Sequence, residues 1–393
     1  MKYDKKDKKQ SKSKKADYTK LQGIIRSEMD DAEDYISQIG KERAESTDYY
    51  LGNEPESVSD LQSSFISTDV RDSILFMLPS IMRTFFGTKR VVEFVPNGPE
   101  DIAVAEQQTD YINYIVQQKN SGFKVFYDAF KDALVRKSGF VKAFWDDSMT
   151  ATTHEYTNLD PDSYQALILD PDVEIVDESI KMESITMLNP ETGEEIVQES
   201  PASYDLTIRR VKRKDQVCIE AVPPEEVLIS RNARSFLDSP YVAHRMVKTV
   251  SDLVAMGYDR DEIEEYAGSG SSFDADTYTE REAREPIGGS MYPGGASSEH
   301  SKEVLYVEHY CFYDLDDDGI DERVRVCTVG NGANIINCEA WDDLPIAMFC
   351  PDPEPHTAIG SCPADYVKPI QAAKSQIMRD TLDSLGHSIF PRM

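Results

Sequence analysis

The chain has 393 residues, 40% of them hydrophobic, with 42 Lys and Arg against 72 Asp and Glu, a formal net charge of −30. That length suits two or three domains with real cores, and a body this acidic is a poor nucleic-acid binder, because phosphate contacts need Lys and Arg. The longest apolar run, residues 74–86, is interrupted by Pro79 and Arg83 and is too short to span a bilayer.

In chain order, residues 1–20 hold nine lysines and three aspartates and read as a disordered basic tail, which leaves the remainder at 33 cations against 69 anions, a net −36. From Leu21 to Leu51 the spacing of Ile24, Ile25, Met29, Tyr35, Ile36 and Ile39 predicts a helix broken near Gly40. A second helix follows Thr68 or Asp69 as cap, with Val70, Ile74, Met77, Leu78, Ile81 and Phe85 as its buried face and a kink at Pro79. The stretch 87–98, GTKRVVEFVPNG, reads as a short strand. Helices are predicted again over 102–120 and after Gly122, where Phe123, Phe126, Phe130 and Leu134 share one side, and the strand FVKAFWDD closes a unit spanning 21–147.

Residues 148–267 read as mainly β structure with short helices. NPETGEE is the turn of a hairpin, and the basic run RRVKRK (209–214) alternates with Ile208 and Val211 as the exposed face of a strand. Thr249 or Ser251 caps one short helix that Gly257 ends, and Asp259 starts another. Residues 268–302, rich in Gly, Ser, Asp and Glu, read as a flexible linker. Residues 303–362 form a small β unit with strands at VLYVEHYCFYD, RVRVCTV and around INCEAW. Residues 363–390 form one long amphipathic helix of roughly 35 to 40 Å. Val367, Ile370, Ile377, Leu382, Leu385 and Ile389 make its apolar stripe, with Pro363 at the start and Pro391 as the stop.

The order EHYCFYDLDDDGIDER, WDDLPIAMF, PDPEPHTAIGSCPADYV, IQAAKSQIMRDTLDSL and PRM resembles the portal proteins of tailed bacteriophages, most closely those of short-tailed phages. The helix, strand, two-helix, strand order between Ser67 and Asp147 is similar to the wing of the same family. The resemblance implies an α+β fold: a wing-like region over 21–147 and 148–267, a clip-like β unit at 303–362 and a stem-like helix at 363–390. It implies a head-to-tail connector of the virion, assembled in the host cytoplasm as a homo-oligomeric ring, expected to be a dodecamer, at one capsid vertex. Its implied partners are capsid and scaffold proteins, the terminase motor, a tail adaptor and double-stranded DNA passing non-specifically, with no membrane. An acidic lumen lets a polyanion slide without sticking. Lys374, Arg379 and Asp383, which lie off the apolar stripe, are the channel-facing candidates. The family continues past the long helix into a second half of the wing and a helical crown, so the chain reads as C-terminally truncated.

Chemistry is sparse. Asp314, Asp316, Asp318, Gly319 and Ile320 spell the first seven positions of a calcium loop, D-x-D-x-D-G-I. Arg325 stands where the twelfth-position glutamate belongs, so an EF-hand is not expected; a shorter calcium site completed by Asp321 or Glu322 and a polar hairpin tip are the alternatives. The six histidines show no catalytic spacing, the six cysteines no CxxC, and there is no Walker loop, so neither an enzyme nor a required cofactor is expected. Two other readings stay open: a different virion structural protein such as a capsid protein or tail adaptor, and a metal-dependent hydrolase using Asp314, Asp316 and Asp318.

Overall fold

The computed structural model describes residues 18–53, 63–88, 90–170, 172–188, 195–266, 273, 275–284, 302–315, 318–330 and 334–389. Residues 1–17 of the expected tail (1–20), most of the NPETGEE turn and most of the expected linker lie outside them, while Thr19 and Lys20 of that tail begin the first helix. The fold is α+β with antiparallel sheets, and it divides into two compact units, one of 1–144, 217–251 and 259–393, the other of 145–216 and 252–258.

The larger unit is organised around α1 (Thr19–Leu51), whose Leu21, Ile25, Met29, Ala32 and Ile36 fall at helical spacing and are buried. They meet a sheet core of Phe140, Leu228, Tyr241, Val307 and Val326. Each such side chain contributes about 1.5–3 kcal/mol when removed from water. The expected break at Gly40 does not occur: the helix runs through it, and a Cβ there would lie 3.2 Å from Glu280 Oε2. Close approach of a neighbouring helix, and not a turn, is what this glycine serves.

Helix α2 (Asp69–Phe86) continues through Pro79 and buries Val70, Ile74, Leu78 and Met82, while Met77 and Phe85 are exposed, against expectation. Helix α3 (Ile102–Tyr114) runs into a single π turn (Ile115–Lys119), and α4 (Gly122–Arg136) sets Phe130 and Leu134 against α2. Phe123, expected on that packed side, is exposed. Residues 90–97 are not a strand. Their inner backbone groups bond to side chains of α3, which take the place of a ladder: Asn113 Oδ1 accepts from Val91 N (2.6 Å) and Val92 N (3.2 Å), Asn113 Nδ2 donates to Val92 O (2.7 Å), and Thr109 Oγ1 accepts from Phe94 N (3.0 Å).

The next elements are strands β1 (Gly139–Asp146) and β2 (Met149–Leu159), helix α5 (Pro161–Ile168), and strands β3 (Val173–Leu188), β4 (Glu195–Arg213), β5 (Gln216–Val222), β6 (Val227–Ile229) and β7 (Tyr241–Thr249). Helix α5 interrupts what was read as continuous β structure; Asp160 caps it and Pro161 occupies its first turn. In the smaller unit the sheet order is β2-β4-β3, with Leu188 opposite Glu195, the expected hairpin. The basic run lies on β4 as expected: Ile208 is buried and Arg209, Lys212, Arg213 and Lys214 are exposed.

Helices α6 (Val250–Ala255) and α7 (Arg260–Glu264) follow; Asp259 caps α7 through Asp261 N. Helix α8 (Ala275–Arg284) lies inside the stretch expected to be linker. It is held in the larger unit by buried Thr277 and Glu280, the latter 3.8 Å from the Arg43 guanidinium. Strands β8 (Glu303–Tyr313), β9 (Glu322–Val329) and β10 (Asn334–Ala340) do not form a separate unit. They continue a five-stranded sheet, β10-β9-β8-β7-β6, in which Tyr241 pairs with Cys311 and Thr249 with Glu303, and β11 (Ile346–Phe349) pairs with β1. The paired strands β7 and β8 are separated in sequence by the whole 250–302 stretch. The last described element is α9 (Pro363–Ile389); residue 390, its expected end, lies outside the described residues.

Candidate assembly surface on the long helix

Helix α9 has two dissimilar faces, and the buried one is polar. Gln371, Ser375 and Arg379 are buried, and with the half-buried Asp383 they stand four residues apart in one row. Each engages the backbone of the irregular segment 63–68 or, at Val70, the first turn of α2. Gln371 Oε1 accepts from Val70 N (2.8 Å) while its Nε2 donates to Tyr49 O (3.0 Å), and Ser375 Oγ accepts from Ser67 N (3.0 Å). Arg379 Nε donates to Phe65 O (3.1 Å), and Asp383 Oδ1 accepts from Ser63 N (2.9 Å). A segment without its own ladder or helix must satisfy its backbone elsewhere, and this row satisfies it. Lys374 adds an ion pair to Asp69 at 2.7 Å, and that ammonium, followed by the Ser67 hydroxyl, holds the Asp69 carboxyl below its usual range. Ala364 and Val367 complete the contact with the α2–α4 cluster.

The apolar stripe points the other way. Tyr366, Ile370, Ile377, Met378, Leu382 and Leu385 are all exposed, Ile370 at 62% and Ile377 at 64%. Of the predicted stripe, only Val367 is packed within the described residues; the side chain of Ile389 lies outside them. From Tyr366 to Leu385 the row extends about 30 Å at ~1.5 Å per residue. Contiguous apolar surface of this extent marks an interaction site.

Two of the three charged candidates belong to the packed side, Arg379 at 9% exposed and Asp383 tied to Ser63, while Lys374 stays exposed as it pairs with Asp69. Gln371 and Ser375, the centre of the packed row, were not singled out from the sequence. Their signal is the i, i+4 spacing of polar residues on a helix otherwise read by its apolar stripe.

The acidic turn is partly described. Asp314 Oδ1 and Oδ2 accept from Asp318 N (3.1 Å) and Gly319 N (2.7 Å), and Asp318 Oδ1 accepts from Ile320 N (2.8 Å). Gly319 has φ +89, which suits glycine. Asp316 lies outside the described residues, and among the described residues no three His, Cys, Asp or Glu side chains gather as a metal-binding group. The carboxylates of Asp314 and Asp318 are engaged as acceptors in holding a hairpin tip, with Asp321 beyond it.

A buried polar cluster ties the sheets of the larger unit together. Lys142 Nζ lies 2.7 Å from Glu308 Oε2 and 3.1 Å from His244 Nδ1, and Tyr310 OH donates to Glu308 at 3.0 Å. Burial pushes the Glu308 carboxyl up, but the Lys142 ammonium outweighs it and holds the group at about 2. His309, between Tyr241 OH and Thr328 Oγ1 at 2.8 Å each, is pushed down by burial to about 3 and is neutral. These are satisfied core groups that rigidify a sheet.

An α+β subunit with a long helix that spends its polar face inside and its apolar face outside is built to associate. The chain belongs to the phage SU10 portal protein family, whose model matches residues 21–393. It is a tailed-phage portal protein and a component of the virion. No curated protein matches it. Among the described residues no helix is long and apolar enough to cross a membrane.

Proposed function

We propose that copies of this chain close into a ring at one capsid vertex through which the genome is packaged and later ejected, and that the exposed face of α9 is part of the contact between neighbours. The observation that carries this reading is the row Ile370, Ile377, Leu382 and Leu385 left in water by the monomer. A subunit meeting identical neighbours head to tail buries such a row at every interface, and closure leaves none exposed. The net charge of −36 outside the first twenty residues supports a conduit, since a polyanion moves along an acidic wall without being held. Lys374, 54% exposed at its side chain, is the candidate with surface left to meet the lumen; Arg379 and Asp383 act through the packing of α9. Capsid and scaffold proteins, a terminase motor and a tail adaptor are the partners this role requires, and the chain itself performs no catalysis. Negative-stain microscopy with native mass measurement tests the reading: closed rings with a central hole, near a dodecamer in mass, are expected. A monodisperse monomer at every concentration would refute it.

A further inference from the structure

Residues 91–96, VVEFVP, have the β-branched and aromatic composition of a strand ended by proline, yet no strand pairs with them among the described residues. The backbone groups of Val92 and Phe94 that face α3 are taken up by Asn113 and Thr109. Val91 N reaches Asn113 as well, at a bend; beyond it the alternation set by residues 92 and 94 turns the backbone groups of Glu93 and Val95 away, and among the described residues no protein group bonds them. The side chains there are in water as well: Val92, Phe94 and Val95 are exposed, Val95 at 82%. One edge of a strand is thus satisfied by side chains and the other is open.

The same chain carries a second open edge. Strand β2 is the outermost strand of its sheet, eleven residues long and exposed from Thr150 to Glu155. Its sequence, MTATTHEYTNL, holds no Lys and no Pro, the residues that protect an edge from pairing. Beside it on β4 stand Arg209, Lys212 and Arg213, opposite Thr153, Thr150 and Met149. Around residues 91–96 the exposed charges are Glu93, Glu100, Asp101, Glu106 and Asp110, with one described cation, Arg90, which pairs with Asp110 at 3.1 Å, so the surround is acidic on balance. The two edges are complementary in backbone and in charge, and they are different surfaces of one chain, as a head-to-tail ring demands.

We propose that residues 91–96 of one copy add as a further strand to the outer edge of β2 in a second copy, with the β4 cations facing the acidic rim of the added strand. This rests on the ring reading. The test is made on the full chain with two measurements. Val95→Pro removes the outward N–H, and it should lower the yield of rings at least tenfold while Val95→Thr forms them at the wild-type level. Independently, Val95→Cys combined with Thr150→Cys, Thr152→Cys or His154→Cys should give a ladder of disulfide-linked multimers on a non-reducing gel in at least one register, which the single variants do not. Wild-type yields of rings from Val95→Pro, with no multimer beyond the single-variant background in any register, would overturn strand addition and leave the ring intact. Absence of rings in the wild type itself would overturn the ring reading.

Discussion

Replacing Gln371 by Ala separates the two faces of α9. The side chain is 1% exposed and bonds both Val70 N and Tyr49 O, so its loss strands a buried donor and a part-buried acceptor. Each such group costs about 1–3 kcal/mol, so the monomer should lose about 2–6 kcal/mol, a large part of a typical domain's margin. Ile377→Ala removes an apolar group that the monomer leaves 64% exposed and should change monomer stability by less than about 0.5 kcal/mol. If a neighbour covers Ile377, full burial is worth about 1.5–3 kcal/mol, so the interface loses roughly 1–2 kcal/mol per subunit when that side chain is trimmed. Urea unfolding of the monomer reads the first quantity, and the concentration dependence of assembly by sedimentation reads the second. Gln371→Ala should move the urea midpoint and Ile377→Ala the assembly concentration. If Ile377→Ala lowered the urea midpoint as much as Gln371→Ala, the assignment of inner and outer faces would be wrong.

Lys142→Met leaves the Glu308 carboxylate buried and uncompensated and should cost about 3–5 kcal/mol, measured by chemical denaturation; Lys142→Met with Glu308→Gln should recover part of it. Glu308 has a folded pKa of about 2, below its ordinary 4.5, so its contribution is present above 4.5 and lost as pH falls toward 2; thermal melts across that window should be flatter for Glu308→Gln than for the wild type. Gly139→Ala places a Cβ 1.9 Å from Ala129 O and should destabilise by about 2 kcal/mol or more through forced backbone movement, with a matching fall in melting temperature. Asn113→Ala frees Val91 N and Val92 N, so amide exchange should accelerate at those two positions and stay unchanged on α1.

Element types were legible wherever periodicity ran long. The spacing of Ile25, Met29 and Ile36 predicted α1 as far as Gly40, the Asn and Gly of NPETGEE predicted the β3–β4 pairing, and Pro363 marked the start of α9. Partners were less legible, because local patterns do not say which surface covers a face. The stripe Ile370, Ile377, Leu382 and Leu385 has the spacing of a core helix, but the fold buries Gln371, Ser375 and Arg379, whose hydrogen bonds to residues 63–70 span some three hundred positions of chain. Gly40 read as a break because glycine lowers helix propensity by about 1 kcal/mol relative to alanine, a cost that close packing against Glu280 accompanies. Residues 91–96 carried strand propensity without a ladder, and the residues that bond them, Asn113 and Thr109, belong to the next helix. The composition of 268–302 concealed α8, whose anchor is a single buried carboxylate among many exposed acids.

The most direct test of the two-faced helix is hydroxyl-radical footprinting of α9 in monomers and in assembled rings. Tyr366, Ile377, Met378 and Leu382 should be labelled readily in the monomer and protected several-fold in the ring, with Gln371 and Ser375 unlabelled in both. Equal labelling of Ile377 and Leu382 in monomer and ring would contradict the account.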